Sequence, residues 1–259
     1  MKIRLAALVL FAAFAGCVRE PVERVEWTTM GTIAAVQTRG GANPLAVEMV
    51  RKTFDEVERF LNAHNPQSEL SLLAPLAEEE ILEKCDAGMR ECYKTAFRLM
   101  HETGGAFNPR WRGPGKLDLG GIAKGFALDL AEDELNRHKD SIGVCDILID
   151  LGGNLKSVSG VWKVGVYEPP DAASQPTTLA LAPGYACATS AEYARGKHIY
   201  DGRTGLAVSN NVMSVTTVHP TSAMLADGLS TVMFIFGRDE GEAFLKTHYP
   251  EAKAIWLMR

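Results

Sequence analysis

DLGGIAKGFALD, Asp118 to Asp129, is the stretch from which the rest of the chain is read. An apolar strand end runs into Gly120-Gly121 and then into a helix, with a carboxylate before the turn and Lys124 one turn into the helix. Gly120 and Gly121 carry no Cβ, so the backbone there can pass close to a ligand. The helix start offers unpaired N–H groups and partial positive charge, a setting that suits phosphate. The glycine spacing is not that of the dinucleotide fingerprint GxGxxG. A strand–Gly–Gly–helix turn is also ordinary in α/β proteins, so the neighbouring motifs must decide between a ligand site and a plain turn.

Working outward, Trp27 to Gln37 carries β-branched residues in loose alternation and predicts an opening strand containing TTMGT. Asn43 as cap, Pro44 at the first position and Val47, Val50, Phe54, Val57 and Leu61 at 3–4 spacing predict a helix that Asn65-Pro66 ends. A second helix is predicted over Ala87–Thr103, stopped by Gly104-Gly105, and a third starts after Gly121. Strand-like runs follow at Cys145–Leu151, Val161–Tyr167, Thr178–Ala182, Tyr185–Ala188 and Val212–Val218. Helices near Ala223–Phe234 and Glu240–Thr247 and a strand near Ala252–Leu257 complete the chain. Helices and strands interleave without a strict βαβ rhythm, which predicts an α+β or mixed α/β single domain, not a Rossmann order.

The N-terminus reads as an export signal: MKIR is basic, and Leu5–Ala15 is an apolar run of h-region length. Phe14-Ala15-Gly16-Cys17 resembles a bacterial lipoprotein box, in which Cys17 becomes the lipidated first residue; a plain signal cut near Ala15 or Gly16 is the other reading. The division is then a signal over 1–16, lipidated Cys17 and a polar tether over 17–26, and one domain over 27–259. The formal net charge is −5, and losing Lys2 and Arg4 makes the chain more acidic still. An acidic chain without a basic block argues against nucleic acid as partner. Cys85, Cys92, Cys145 and Cys187 show neither CxxC nor a zinc spacing; one or two disulfides, or four buried thiols, fit equally.

Three further segments carry chemistry. In AMLADGLST, Asp227 and Thr231 are four apart on a predicted helix and share a face. A carboxylate with neutral oxygens suits a hard cation such as Mg²⁺, and a solvated helix face is the alternative. In TSAEYARGKHIYDGRTG, Asp201 to Gly205 form a turn by composition. There His198 and Asp201 are a base with its orienting partner, contacts to a nucleotide, or surface charges on a hairpin tip. GGAFNP, Gly104 to Pro109, presents a ring and an amide after a helix, and HNPQSEL, His64 to Leu70, is another turn.

The order TTMGT, NPQSEL, GGAFNP, DLGGIAKGFALD, LIDLGGNL, HIYDGRTG and ADGLST resembles the ApbE-type family, the FAD:protein FMN transferases, once called thiamine-biosynthesis lipoproteins. The likeness runs from about Trp27 to the C-terminus; DLGGIAKGFALD and ADxLST are its specific parts. It implies the family's single α+β domain with mostly antiparallel strands. It also implies a Mg²⁺-dependent transfer of FMN from FAD to a threonine or serine hydroxyl of an acceptor flavoprotein in a redox system, with release of AMP. By residue, it implies Asp227, Thr231 and the carbonyl of Gly121 around Mg²⁺. Met30, Ala106, Phe107, Asn108, Asp118, Lys124 and the backbone near Tyr200 would line the FAD site, with His198, or second Asp201, as catalytic base. The lipid anchor at Cys17 fits the family's bacterial, periplasmic setting.

The chain departs from the family pattern at several places. Only Arg110 to Leu117 separates GGAFNP from DLGG, Asn108 stands where an aspartate is usual, and Arg110 replaces a small hydroxyl residue. The turn reads DGRTG, TSAEY stands for TSGxY, and His64 stands where a tyrosine is more typical. The metal elements are intact while the rim is pared down, which keeps two alternatives open: a Mg²⁺-dependent FAD pyrophosphatase giving FMN and AMP, and a flavin-binding lipoprotein without catalysis.

Overall fold

Met30 and Gly31 both have positive φ, +48° and +68°. A two-residue turn of that kind matches the right-handed twist of paired strands. In the computed structural model, which describes residues 21–166, 177–192 and 198–259, the chain therefore begins as a hairpin. Strands β1 (Val22–Thr29) and β2 (Thr32–Arg39) pair antiparallel from Val22↔Arg39 to Thr29↔Thr32. This corrects both the single strand predicted over 27–37 and the tether predicted up to Glu26. Val22 to Glu26 is exposed on both faces of β1, so no alternation marks it. A methionine also holds the positive φ that glycine or asparagine would announce. Residues 1–16 and Cys17 lie outside the described residues.

Asn43 caps α1 (Pro44–Leu61), its Oδ1 accepting from the Ala46 N–H at 3.0 Å. Two short helices follow that apolar periodicity does not announce, α2 (Glu69–Leu73) and α3 (Glu78–Lys84). Helix α4 (Arg90–Glu102) starts three residues later than predicted, because Asp86 Oδ1 accepts from the Gly88 N–H at 2.7 Å and folds an Asx-turn there. Next come α5 (Ala123–Arg137), α6 (Lys139–Ile142), β3 (Asp146–Leu151), β4 (Asn154–Ser157), β5 (Trp162–Gly165), β6 (Thr178–Leu181) and β7 (Ala186–Ala191). Then β8 (Tyr200–Asp201), β9 (Leu206–Ala207), β10 (Val212–His219), α7 (Ala223–Phe236), α8 (Arg238–His248) and β11 (Lys253–Met258) end the chain.

Seven strands form one sheet in the order β1-β2-β3-β4-β7-β10-β11, with every neighbouring pair antiparallel. Period-2 alternation gives β3 two destinations. Ile147, Ile149 and Leu151 join the main core with α1, α4, α5 and α7, while Leu148 joins a second cluster with Trp162, Val164, Leu181 and Cys187. The mixed α+β class and single domain match the sequence reading. The four cysteines are free thiols, and burial pushes Cys92 and Cys187 up, away from thiolate chemistry.

The positions of α5 and α7 are fixed by a close contact. A Cβ on Gly125 would meet Ala223 O at 2.1 Å, so only glycine lets these helices touch here. One turn on, Asp129 binds the start of α7: Oδ1 accepts from the Ala223 N–H at 2.7 Å, and Oδ2 accepts from the Met224 N–H at 3.0 Å and Ser222 Oγ at 2.8 Å. Ser222 Oγ accepts from the Leu225 N–H, and His219 Nδ1 accepts from the Ser222 N–H at 3.0 Å. The N–H groups that a helix start ordinarily leaves unpaired are thus satisfied. Lys156, fully buried, completes the clasp: its ammonium lies 3.2 Å from Asp129, 2.8 Å from Glu132 and 2.7 Å from Thr221 O.

Gly125→Ala is expected to cost about 3 kcal/mol, the upper end of overpacking penalties, read as a lower urea midpoint at unchanged slope. His219 supplies a second test. Burial holds its imidazole below the ordinary value, with Glu251 opposing in part. Its Nδ1 must also stay unprotonated to accept from Thr221 and Ser222. The neutral form is therefore favoured in the fold, so the stability it contributes is present above the unfolded value of about 6.5 and is lost as pH falls below it. Unfolding midpoints measured from pH 7.5 to 5 should decline in the wild type, and His219→Asn should start lower but decline less.

Candidate functional site

An open cleft of about 1080 Å³ is lined by the GGAFNP loop, the DLGG turn, the β3–β4 tip, β7, the 198–200 segment and α7. Thr103 builds the first wall. Its hydroxyl donates to Leu99 O at 2.7 Å, closing α4, and accepts from the Phe107 N–H at 3.1 Å, drawing the loop inward. Ala106, Phe107 and Asn108 then reach the cleft together. Gly202 N–H donates to Ala106 O at 2.9 Å, and a Cβ on Gly202 would lie 2.3 Å from Asn108 Cβ. The DGRTG turn therefore lies directly on the AFN loop.

The DLGG turn brings the charged groups. Asp118 Oδ1 accepts from the Gly120 N–H at 2.8 Å, and its Oδ2 is 3.0 Å from Arg112 Nε. Lys124, in the first turn of α5, places its ammonium 3.3 and 3.4 Å from the two carboxylate oxygens of Asp227. The Gly125 N–H donates to Asp227 Oδ2 at 3.0 Å. The start of α5, predicted from sequence to face a phosphate, thus presents one of its N–H groups to a carboxylate of the protein, a favourable place for negative charge. The space beside Gly121 is likewise taken by the protein: a Cβ there would meet Thr231 Oγ1 at 3.1 Å and Phe107 at 3.2 Å.

Asp227, only 4 % exposed, and Thr231 share one face of α7, and Thr231 Oγ1 sits 3.5 Å from Gly121 O and 3.5 Å from Asp227 O. The hydroxyl of Thr231 thus meets the Gly121 carbonyl, and the Asp227 carboxylate lines the same cleft with the Lys124 ammonium on it. Among the described residues, no three His, Cys, Asp or Glu side chains form a metal-binding group. A cation here would be held by one carboxylate with neutral oxygens, a donor set that fits Mg²⁺ completed by water and phosphate and does not fit zinc.

His198, Tyr200, Asp118 and the AFN loop all line this cleft; Met30 and Asp201 are not among its lining residues. Met30 sits in the β1–β2 turn, where its N–H donates to Glu58 Oε2 at 3.0 Å and its side chain packs on the main core. Asp201 is held by Arg203, whose Nε and Nη2 donate to the carboxylate at 2.9 and 2.7 Å. That ion pair keeps Asp201 below the usual carboxylate range. His64 is not a lining residue either. Sequence reasoning gave no site role to Trp111 and Arg112, in a segment noted for its brevity and for Arg110, nor to Asn154, Thr189 and Ser190, all five of which line the cleft. The side-chain signal was present in the two arginines and a tryptophan within RWR.

Fold and cleft define an antiparallel α+β domain whose site sets the Asp227 carboxylate, the Thr231 hydroxyl and the Lys124 ammonium in one cleft. The ApbE family model matches residues 110–256. The chain belongs to the ApbE family. It is 33 % identical over 141 residues to a Vibrio cholerae protein named FAD:protein FMN transferase, a match covering 49 % of this chain and 40 % of that one. It is 36 % identical over 140 residues to a Klebsiella pneumoniae protein of the same name, covering 51 % and 42 %. The matched stretch thus spans about two fifths of those relatives' own length. The flavin transferase ApbE structure from Vibrio cholerae superposes with a TM-score of 0.72 at 22 % identity over 92 % of this chain and 94 % of that one. The Thermotoga maritima ApbE protein gives 0.72 at 21 % identity over the same shares. Both share the fold.

Gly202→Ala is expected to part the DGRTG turn from the AFN loop, because its Cβ has no room against Asn108 and Gly105 O. Thermal unfolding should shift by only a few degrees, as for a change of about 1 kcal/mol, while affinity for a cleft ligand falls more steeply.

Proposed function

We propose that this chain transfers FMN from FAD to a threonine or serine hydroxyl of an acceptor flavoprotein subunit in a redox complex, releasing AMP, with Mg²⁺ as cofactor. The observation that carries the reading is that Asp227, Thr231 and Gly121 line one cleft with the AFN loop, with Thr231 on the Gly121 carbonyl and Lys124 on the Asp227 carboxylate. The names of the relatives support the same chemistry. Mg²⁺ would be held by the Asp227 carboxylate, the Thr231 hydroxyl and the Gly121 carbonyl, and would supply Lewis-acid neutralisation of the pyrophosphate. Lys124 would meet the remaining negative charge as AMP departs.

In the transfer, the acceptor hydroxyl oxygen forms a bond to the FMN phosphorus. The bond from that phosphorus to the bridging oxygen breaks, and AMP leaves with that oxygen. The hydroxyl proton goes to His198, which lines the cleft and is exposed to an incoming protein. Positioning is the larger part of the catalysis, since a hydroxyl is a weak nucleophile. Lipidation at Cys17, read from the sequence, would place the domain on the periplasmic side of a bacterial membrane. No described helix is long and apolar enough to cross one.

The test incubates the purified protein with FAD, Mg²⁺ and a candidate acceptor domain and follows both products by mass spectrometry. An FMN-sized increment on the acceptor together with AMP is expected. AMP without the increment would favour the pyrophosphatase. Asp227→Ala should abolish Mg²⁺-dependent turnover while FAD affinity falls less; turnover surviving that change would remove the metal assignment.

A further inference from the structure

Trp111 and Tyr200 lie in separate segments, the loop after GGAFNP and strand β8, yet their ring centroids are 4.2 Å apart with planes 11° from parallel. Both rings line the cleft, and neither belongs to a hydrophobic core. An aromatic pair outside the interior is not filling space for the fold. The loop that carries Trp111 is also held firmly. Its ends are joined by the Asp118 N–H donating to Pro109 O at 2.8 Å. Arg110 donates to Ala74 O at 2.7 Å and Leu76 O at 2.6 Å. The Arg112 guanidinium stands 4.9 Å from the indole centroid while paired with Asp118.

We propose that the Trp111–Tyr200 stack is the seat for a flat heteroaromatic ring of the cleft's ligand, with Trp111 setting the ring affinity. This rests on the flavin-transfer reading. A held indole offers a stiff π surface whose ordering cost is met in the fold. Such a surface takes any flat nitrogen heterocycle, since every one presents a π face. FAD brings two, isoalloxazine and adenine, and the stack's chemistry is shared by both. The short segment between Pro109 and Asp118 then contributes directly to the site, as an aromatic wall on a clamped loop.

The experiment measures binding of FAD, riboflavin and AMP to the full chain by calorimetry, for wild type, Trp111→Ala and Trp111→Phe, with thermal unfolding as the check on folding. Trp111→Ala should weaken FAD binding about 5- to 150-fold, the range found when stacking aromatics are removed, and Trp111→Phe should recover most of it. A loss on riboflavin with AMP unchanged places isoalloxazine on the stack, and the reverse places adenine there; either supports the assignment. FAD affinity unchanged in a folded Trp111→Ala overturns it. Should that variant not fold, tryptophan emission decides: FAD-induced quenching that persists undiminished in Trp111→Phe, from Trp27, Trp162 and Trp256, overturns it, and loss of the quenching supports it. A wild type that binds none of the three ligands removes the functional reading and the stack with it, whereas wild-type binding kept in Trp111→Ala removes the stack alone.

Discussion

Where α5 crosses α7, the space a Cβ on Gly125 would need is already filled by the backbone of Ala223 and Met224. From that approach the rest of the site follows. It brings the Gly125 N–H and Lys124 to Asp227, and it sets Gly121 O near Thr231. The contact is held shut by charge: Asp129 accepts from the first amides of α7, and the buried Lys156 ammonium is shared between Asp129 and Glu132. The buried ammonium of Lys156 without those carboxylates would be an uncompensated charge, a loss far larger than the net worth of the pair. The motif DLGGIAKGFALD thus works at both ends, with its first half shaping the cleft and its second half docking the helix that supplies Asp227 and Thr231.

The other elements of the cleft meet through backbone, rings and the Arg112–Asp118 pair. The AFN loop accepts from the Gly202 N–H, and the loop after it leans on Tyr200 through Trp111. Arg110, unusual for its family position, has a structural role: its guanidinium ties this loop to the carbonyls of Ala74 and Leu76. Gly202 lets the turn approach where a side chain would collide. Departures that look like losses in the sequence are here the means by which a shortened rim holds its shape.

What the sequence disclosed and what it hid divide along physical lines. Helix α1 was legible because its cap, its proline and its apolar stripe all agree, and α7 because Ala223 to Phe236 is apolar almost throughout. The Asp227–Thr231 pair was legible because four-residue spacing fixes a shared helix face. The Met30-Gly31 turn was not, since a methionine at φ +48° contradicts local preference and is held by Glu58 from α1, a tertiary contact. Strand β4 was hidden because NLKS is short, and its lysine is buried only through partners on α5. The roles of Asp129 and Trp111 are long-range pairings that no local spacing encodes.

The way α7 begins has a further consequence. Helix starts ordinarily fray, but here Ser222, Ala223, Met224 and Leu225 each have their N–H bound by His219, Asp129 or Ser222. Asp227 therefore stands just inside a helix end that does not fray. The carboxylate and hydroxyl that α7 brings to the cleft are carried on a helix whose first turn is fully bonded, whereas the other walls of the cleft are loops and hairpin tips.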